Sequence, residues 1–178
     1  RRPFDRISHP LAFMDGMRAV APNLDIRTVP TQGTMENAPR LESGDLDIAM
    51  VSGEVAHELF EGVGRPPTKL RIVVAMYSAP GMFAVRADSR YRSISQLKGQ
   101  PVVWNDKKSG IAIQAGYLMS GLGLDMDKDF QAIYPDSRGA GPRFVLDGRA
   151  VALGGSGLRW QGFSGLPTSG PGARCVVP

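Results

Sequence analysis

The feature that most constrains this chain is an alternation. Short apolar runs of strand length recur between segments whose apolar residues fall at every third and fourth position. Residues 4–21 carry Phe4, Ile7, Leu11, Met14, Met17 and Ala21 at helical spacing. Pro10 within that pattern predicts a kink or a late start, and Pro22-Asn23 ends it. Leu24–Val29 then alternates as a strand and runs into Thr31-Gln32-Gly33. A helix is predicted over Thr34–Ser43, with Thr34 as N-cap, Asn37 at its third position and Gly44 just past its end. Leu46–Val51 reads as a strand and Glu54–Glu61 as a helix. Leu70–Tyr77 and Met82–Arg86 read as strands split by Ser78-Ala79-Pro80-Gly81. Ser93–Gly99 forms a single turn before strand Pro101–Trp104, and the loop Asn105–Ser109 opens a helix over Gly110–Gly121. Strand Phe130–Tyr134, helix Gly141–Gly148 and strand Ala150–Leu153 follow. A glycine- and proline-rich stretch closes on the apolar run Cys175–Val177. Short strands separated by helices predict an α/β fold, with parallel sheets covered by helices on both faces.

At 178 residues, the chain is sized for one domain or two small lobes. No apolar run approaches the roughly 18 residues of a membrane helix. Arg1-Arg2-Pro3-Phe4 is followed by no apolar stretch, so it is not a signal peptide; an export signal is expected in a precursor. A lone cysteine, Cys175, makes neither an internal disulfide nor a zinc site. The net charge of +4 is scattered, without a basic stripe interleaved with aromatics, which argues against nucleic-acid binding.

Catalytic patterns fail one by one. Gly154-Gly155-Ser156-Gly157-Leu158 misses the nucleophile elbow at its last position. His9 and His57 have no partners near them in sequence. Asp125-x-Asp127-x-Asp129 begins like a calcium loop, but Phe130 stands where the tight turn needs glycine. Neither a P-loop nor a dinucleotide fingerprint is present. No enzyme activity, cofactor or metal is therefore expected.

In an open α/β sheet, ligands bind beyond the carboxyl ends of strands, where loops turn into helices. Three loops fit: Thr31–Thr34, with Gln32 and Gly33; Val51–Glu54, with Ser52 and Gly53; and Asn105–Gly110, with Ser109. Each offers hydroxyls or backbone N–H groups at a helix start, which attract carboxylates and other anions. Each also has a simpler explanation. Thr34 and Ser52 are good helix caps in their own right. Arg86 either pairs with Asp88 on the surface or reaches the cleft as a carboxylate anchor. Tyr77 and Trp160 either wall a pocket or serve packing.

The ordered set of loops resembles a known family. Thr31-Gln32-Gly33-Thr34-Met35-Glu36-Asn37, followed by Leu41-Glu42-Ser43-Gly44-Asp45-Leu46-Asp47-Ile48-Ala49-Met50-Val51, looks like the first lobe of type 2 periplasmic binding proteins. It is most similar to the TAXI family, solute receptors of one class of TRAP transporters. Val85-Arg86-Ala87-Asp88-Ser89, Ser93-Ile94-x-x-Leu97-Lys98-Gly99, Ser109-Gly110 and Gly154-Gly155-Ser156-Gly157 match the second lobe in order. The resemblance implies a two-lobed fold: residues 1–78 as first lobe, 79–165 as second lobe, and 166–178 as the start of a return segment. It implies an extracytoplasmic receptor, periplasmic or extracellular and membrane-associated, that binds a carboxylate or amino acid for a TRAP permease. The expected ligand contacts are Thr31, Gln32, Gly33, Thr34, Asn37, Ser52, Gly53, Tyr77, Arg86, Asn105, Ser109, Gly110, Gly155 and Ser156.

The family opens with a strand and a Gly-Gly-x-Tyr-Tyr type loop that nothing before Phe4 matches, and its members are longer. The fold is thus expected to be incomplete at both ends, with exposed edges through which a homodimer forms. Two alternatives share the fold: the ligand-sensing effector domain of a regulator, and an enzyme such as a biosynthetic transferase.

Overall fold

A computed structural model describes residues 9–76, 78, 80–107, 109–136, 140–156 and 173–176. Helix α1 spans His9–Val20, α2 Thr34–Ser43 and α3 Gly53–Glu61. A five-stranded sheet follows: β1 Gly81–Arg86, β2 Pro101–Val103, β3 Gln131–Ile133, β4 Ala152–Ser156 and β5 Ala173–Val176. Between strands lie a 3-10 turn at Ile94–Leu97, helix α4 at Gly110–Gly121 and the short helix α5 at Gly141–Leu146. No helix among the described residues is long and apolar enough to cross a membrane.

The strand order is β3-β2-β4-β1-β5. β2 pairs in parallel with β3 and β4, whereas β1 runs antiparallel to both β4 and β5. The chain leaves β2 toward β3, then crosses back to the other side of β2 for β4. This order makes the C-terminal ends of β2 and β4 the switch point, where open α/β sheets leave a crevice.

The period-two alternation of β2 assigns its residues to two cores. Val102 and Trp104 enter one, with Phe83, Val85, Ile94, Leu97, Ala115, Met119, Phe130 and Ala152. Val103 enters the other, with Val145, Ala150 and Leu153 beneath α5. Trp104 is fully buried, meeting Phe83 and Phe130 edge-on at centroid distances of 5.6 and 5.2 Å. Its indole Nε1 has no hydrogen-bond partner among the described residues, and apolar contact and edge-to-face geometry carry its placement.

The sequence expectations for the helices hold closely, with one shift of cap. Gly33, not Thr34, precedes α2, with φ of 109°, and contributes no side-chain cap. Gly44 takes the left-handed conformation at φ 83° and donates its N–H to the Leu41 carbonyl, as a glycine past a helix end allows. Pro10 is the second described residue of α1.

The expected strands Leu24–Val29, Leu46–Val51 and Leu70–Tyr77 form no strand among their described residues. No described residue between 9 and 76 joins a ladder. Apolar alternation supplies a face but not a partner, and a strand is stable only when its N–H and C=O groups meet a neighbour. The consequence is visible in exposure: Leu24, Val29, Ile48, Ile72, Val73 and Val74 all face solvent, Val73 at 79%. Tyr77 lies outside the described residues.

The second core admits no added volume. A Cβ at Gly141 would lie 2.7 Å from Leu153 Cδ1 and 3.5 Å from Val103 Cγ1, and both of those residues are fully buried. Gly141→Ala is expected to destabilise the protein by about 1–3 kcal/mol, the usual cost of overpacking. A urea midpoint equal to that of the parent would contradict this account.

Candidate ligand-binding site

The starts of α2, α3 and α4 converge. Ser52 precedes α3 and Ser109 precedes α4, both with extended backbone. The Ser52 backbone N–H donates to Thr34 Oγ1 at 3.2 Å, tying the start of α3 to that of α2. A Cβ on Gly110 would lie 2.8 Å from Ser52 Oγ and 3.4 Å from Thr34 Oγ1. Thr34, Ser52 and Gly110 are therefore in direct apposition from three elements, and only a residue without a side chain fits at 110 without displacing them. Ser52 Oγ is buried and has no hydrogen-bond partner among the described residues. An orphaned buried hydroxyl costs about 1–3 kcal/mol.

The other loop residues have mainly supporting bonds. Ser109 Oγ accepts from the Ala112 N–H at 3.2 Å, a true cap for α4. Asn37 Nδ2 donates to the Met50 carbonyl at 2.8 Å and so fixes the approach to Ser52. Thr31 Oγ1 accepts from the Gly33 N–H, and the exposed Gln32 donates its own N–H to Glu36 Oε2. Gly53 is the exposed first residue of α3. At the switch point Asn105 has φ of 66°, a left-handed backbone that asparagine tolerates better than most residues. Its Nδ2 donates to the Gly154 carbonyl at 2.6 Å, clipping the end of β2 to β4. Gly155 and Ser156 follow on β4, opposite Met82 and Gly81.

Arg86 is not brought to this place. It ends β1, which runs antiparallel to β4, so it lies at the far end of the sheet from Ser156. Its guanidinium binds both oxygens of Asp88, at 3.0 and 2.9 Å, and the Leu146 carbonyl. This is the surface pairing, and it holds the Asp88 carboxyl below its ordinary range, chiefly through the hydrogen bond.

Sequence reasoning did not single out the residues that hold α3 against α4. Ile113 packs on a cluster of Ala38, Val55 and Leu59. Tyr117 Oη donates to Glu58 Oε1 at 3.2 Å, and its ring meets that of His57 edge-on at 6.3 Å. Desolvation, then the Glu58 carboxylate, raise the Tyr117 phenol above its ordinary range. The signal was available: Gly110, Ile113 and Tyr117 share one face of a helix that has no charged residue.

Comparison with known proteins now bears on this arrangement. Residues 14–157 match the profile of the NMT1-like family. The chain belongs to that family. Among solved structures, this NMT1-like chain is similar to the periplasmic aliphatic sulphonate binding protein SsuA from Escherichia coli. The identity is 18% over 86% of this chain and 50% of that one, with a TM-score of 0.57. It is also similar to the probable amino-acid ABC transporter extracellular-binding protein ytmK from Bacillus subtilis, at 19% identity over 93% and 66% of the two chains and a TM-score of 0.60. An ancestral arginine-binding protein bound to arginine gives 15% identity, 92% and 67% coverage, and a TM-score of 0.59. These likenesses establish the fold: a mixed α/β sheet with flanking helices, as in two-lobed periplasmic binding proteins. The chain spans about half to two thirds of the length of these neighbours.

The close approach at Gly110 yields a direct test. Gly110→Ala is expected to push α4 away from Ser52 and loosen the α3–α4 contact. Backbone amides of residues 53–61 would then exchange hydrogen faster than in the parent protein. Unchanged protection there would mean that this approach does not hold the two helices together.

Proposed function

We propose that this chain is the ligand-binding body of an extracytoplasmic solute receptor, capturing a small organic anion or amino acid for a membrane transporter. The observation that carries this reading is the buried Ser52 Oγ, without a hydrogen-bond partner among the described residues and set among three converging helix starts. Helix N-termini present free N–H groups and the positive end of the macrodipole, so they favour an anionic group. An acceptor oxygen there would satisfy the Ser52 hydroxyl and offset its cost. In this reading residues 1–78 form one lobe, 79–165 the other, and 166–178 begin a return segment. Opening about the crossover near Ser78 separates Gly110 from Ser52 and admits the ligand; closing restores their contact.

Thr31, Gly33, Thr34, Ser52, Ser109 and Gly110 make the first contacts, with Gln32, Gly53, Asn105, Gly155 and Ser156 around them and Asn37 holding Ser52 in place. The loop motifs favour a TRAP permease of the TAXI class as partner and a periplasmic location. The names of the structural neighbours, which include an ABC transporter's binding protein, favour an ABC permease instead. The ligand class is the same in both cases.

The test is a thermal-shift screen of amino acids, dicarboxylates and alkanesulfonates. A true ligand at a hundredfold excess over its Kd adds about 2.7 kcal/mol of stability. Ser52→Ala should leave the unliganded melting temperature equal or higher, because it removes an orphaned hydroxyl, yet weaken that ligand about fivefold or more. A screen without any stabilising compound, together with turnover of a chromogenic ester, would point to the enzyme alternative.

A further inference from the structure

A groove of about 420 Å3 runs along α4 from Lys107, Ala112 and Ile113 near its start to Leu124 and Met126 past its end, on a face that does not include Gly110. Ala112, Gly116 and Ser120 form its floor, spaced one turn apart, and Leu124 and Met126 form an apolar wall. A Cβ at Gly116 would approach only the Met126 sulfur, at 3.8 Å, so the small residue widens the trough. The mouth is charged. Lys107 Nζ lies 4.3 Å from the centroid of the Tyr134 ring, and Tyr134 Oη donates to Asp127 Oδ1 at 2.9 Å. Asp125 is otherwise engaged: it pairs with Lys128 and accepts the N–H groups of Asp127 and Lys128. Neither Lys107 nor Asp127 enters an ion pair among the described residues.

One cation and one anion are thus held at the face and the hydroxyl of a single tyrosine without neutralising each other. We propose that this groove is a second small-molecule site, one that takes an aliphatic α-amino acid. The ligand's carboxylate meets Lys107, its ammonium meets Asp127, and its side chain lies along Gly116, Leu124 and Met126. A simple anion would suffer repulsion from Asp127, and a simple cation from Lys107; a zwitterion suffers neither. The volume suits a small ligand, and the aromatic face favours the Lys107 ammonium where it stands. Burial first, then the Asp127 carboxylate, raise the Tyr134 phenol far above its ordinary range, so it remains a proton donor to Asp127 at all working pH.

The experiment is an NMR titration of the isotope-labelled full chain with L-leucine, with isocaproate and isoamylamine as probes lacking one charge each. Saturable shifts are expected at the Gly116, Ser120 and Met126 amides with leucine, and at least about tenfold weaker binding of the two single-charge probes, the scale of one lost charge-assisted hydrogen bond. Lys107→Met and Asp127→Asn, both at exposed positions, should each weaken leucine by a similar factor while leaving the rest of the spectrum in place. Gly116→Leu should abolish binding by filling the trough. Absence of saturable shifts, shifts centred on Ser52 and Gly110 instead, isocaproate binding as tightly as leucine, or indifference to both charge variants would each overturn the site.

Discussion

The arrangement depends on one helix, α4, which has no charged residue and uses different faces against different neighbours. At ~100° per residue, Gly110, Ile113 and Tyr117 form the face toward α3. Ala115 and Met119 point the opposite way, into the sheet core with Phe83 and Trp104. Ala112, Gly116 and Ser120 occupy the sector between those two faces, where the groove lies. Burial of a Leu- or Ile-sized side chain contributes about 1.5–3 kcal/mol, so Ile113 in its cluster outweighs the exposed Tyr117–Glu58 hydrogen bond. Apolar contact sets the distance between α3 and α4, and the polar contacts set their register.

That distance fixes the chemistry at the helix starts. With Ile113 seated against Val55 and Leu59, the first turn of α4 is drawn against the first turn of α3, and only glycine at 110 permits it. The Ser52 hydroxyl is thereby buried between the starts of α2 and α4, while the Ser52 N–H is spent on Thr34 Oγ1. Desolvation raises the worth of any charge-assisted hydrogen bond made there. The same packing that seats α4 on α3 takes the Ser52 hydroxyl out of water.

Local signals explain how much of this was legible. Helices α2, α3 and α4 could be read because caps, glycine stops and 3.6-residue spacing are properties of one segment. Gly44 and Ser109 behave as their residue types require. The strands of the sheet part could be read because each has a partner; β2 and β4 support one another through Val102–Ala152 and Val103–Leu153. Leu24–Val29, Leu46–Val51 and Leu70–Tyr77 also carry apolar patterning of strand length, but their described residues join no ladder. Composition reports which face a strand would bury, whereas pairing is a relation between distant segments. The α3–α4 contact was missed for the same reason: His57 and Glu58 look like solvated helix residues until Tyr117 stands beside them.

Arg86 shows how geometry decides between readings that sequence leaves level. A guanidinium near the crossover between lobes suits a carboxylate anchor, and its pairing with Asp88 two positions on suits a surface clamp. β1 alone cannot choose, because a strand has two ends. The antiparallel register with β4 chooses: Gly81 stands beside Ser156 at the switch-point end, so Arg86 falls at the other. The polar groups beside Gly110 are therefore the hydroxyls of Ser52 and Thr34, supplied by the starts of α3 and α2, and the Arg86 guanidinium stands apart from them at the other end of β1.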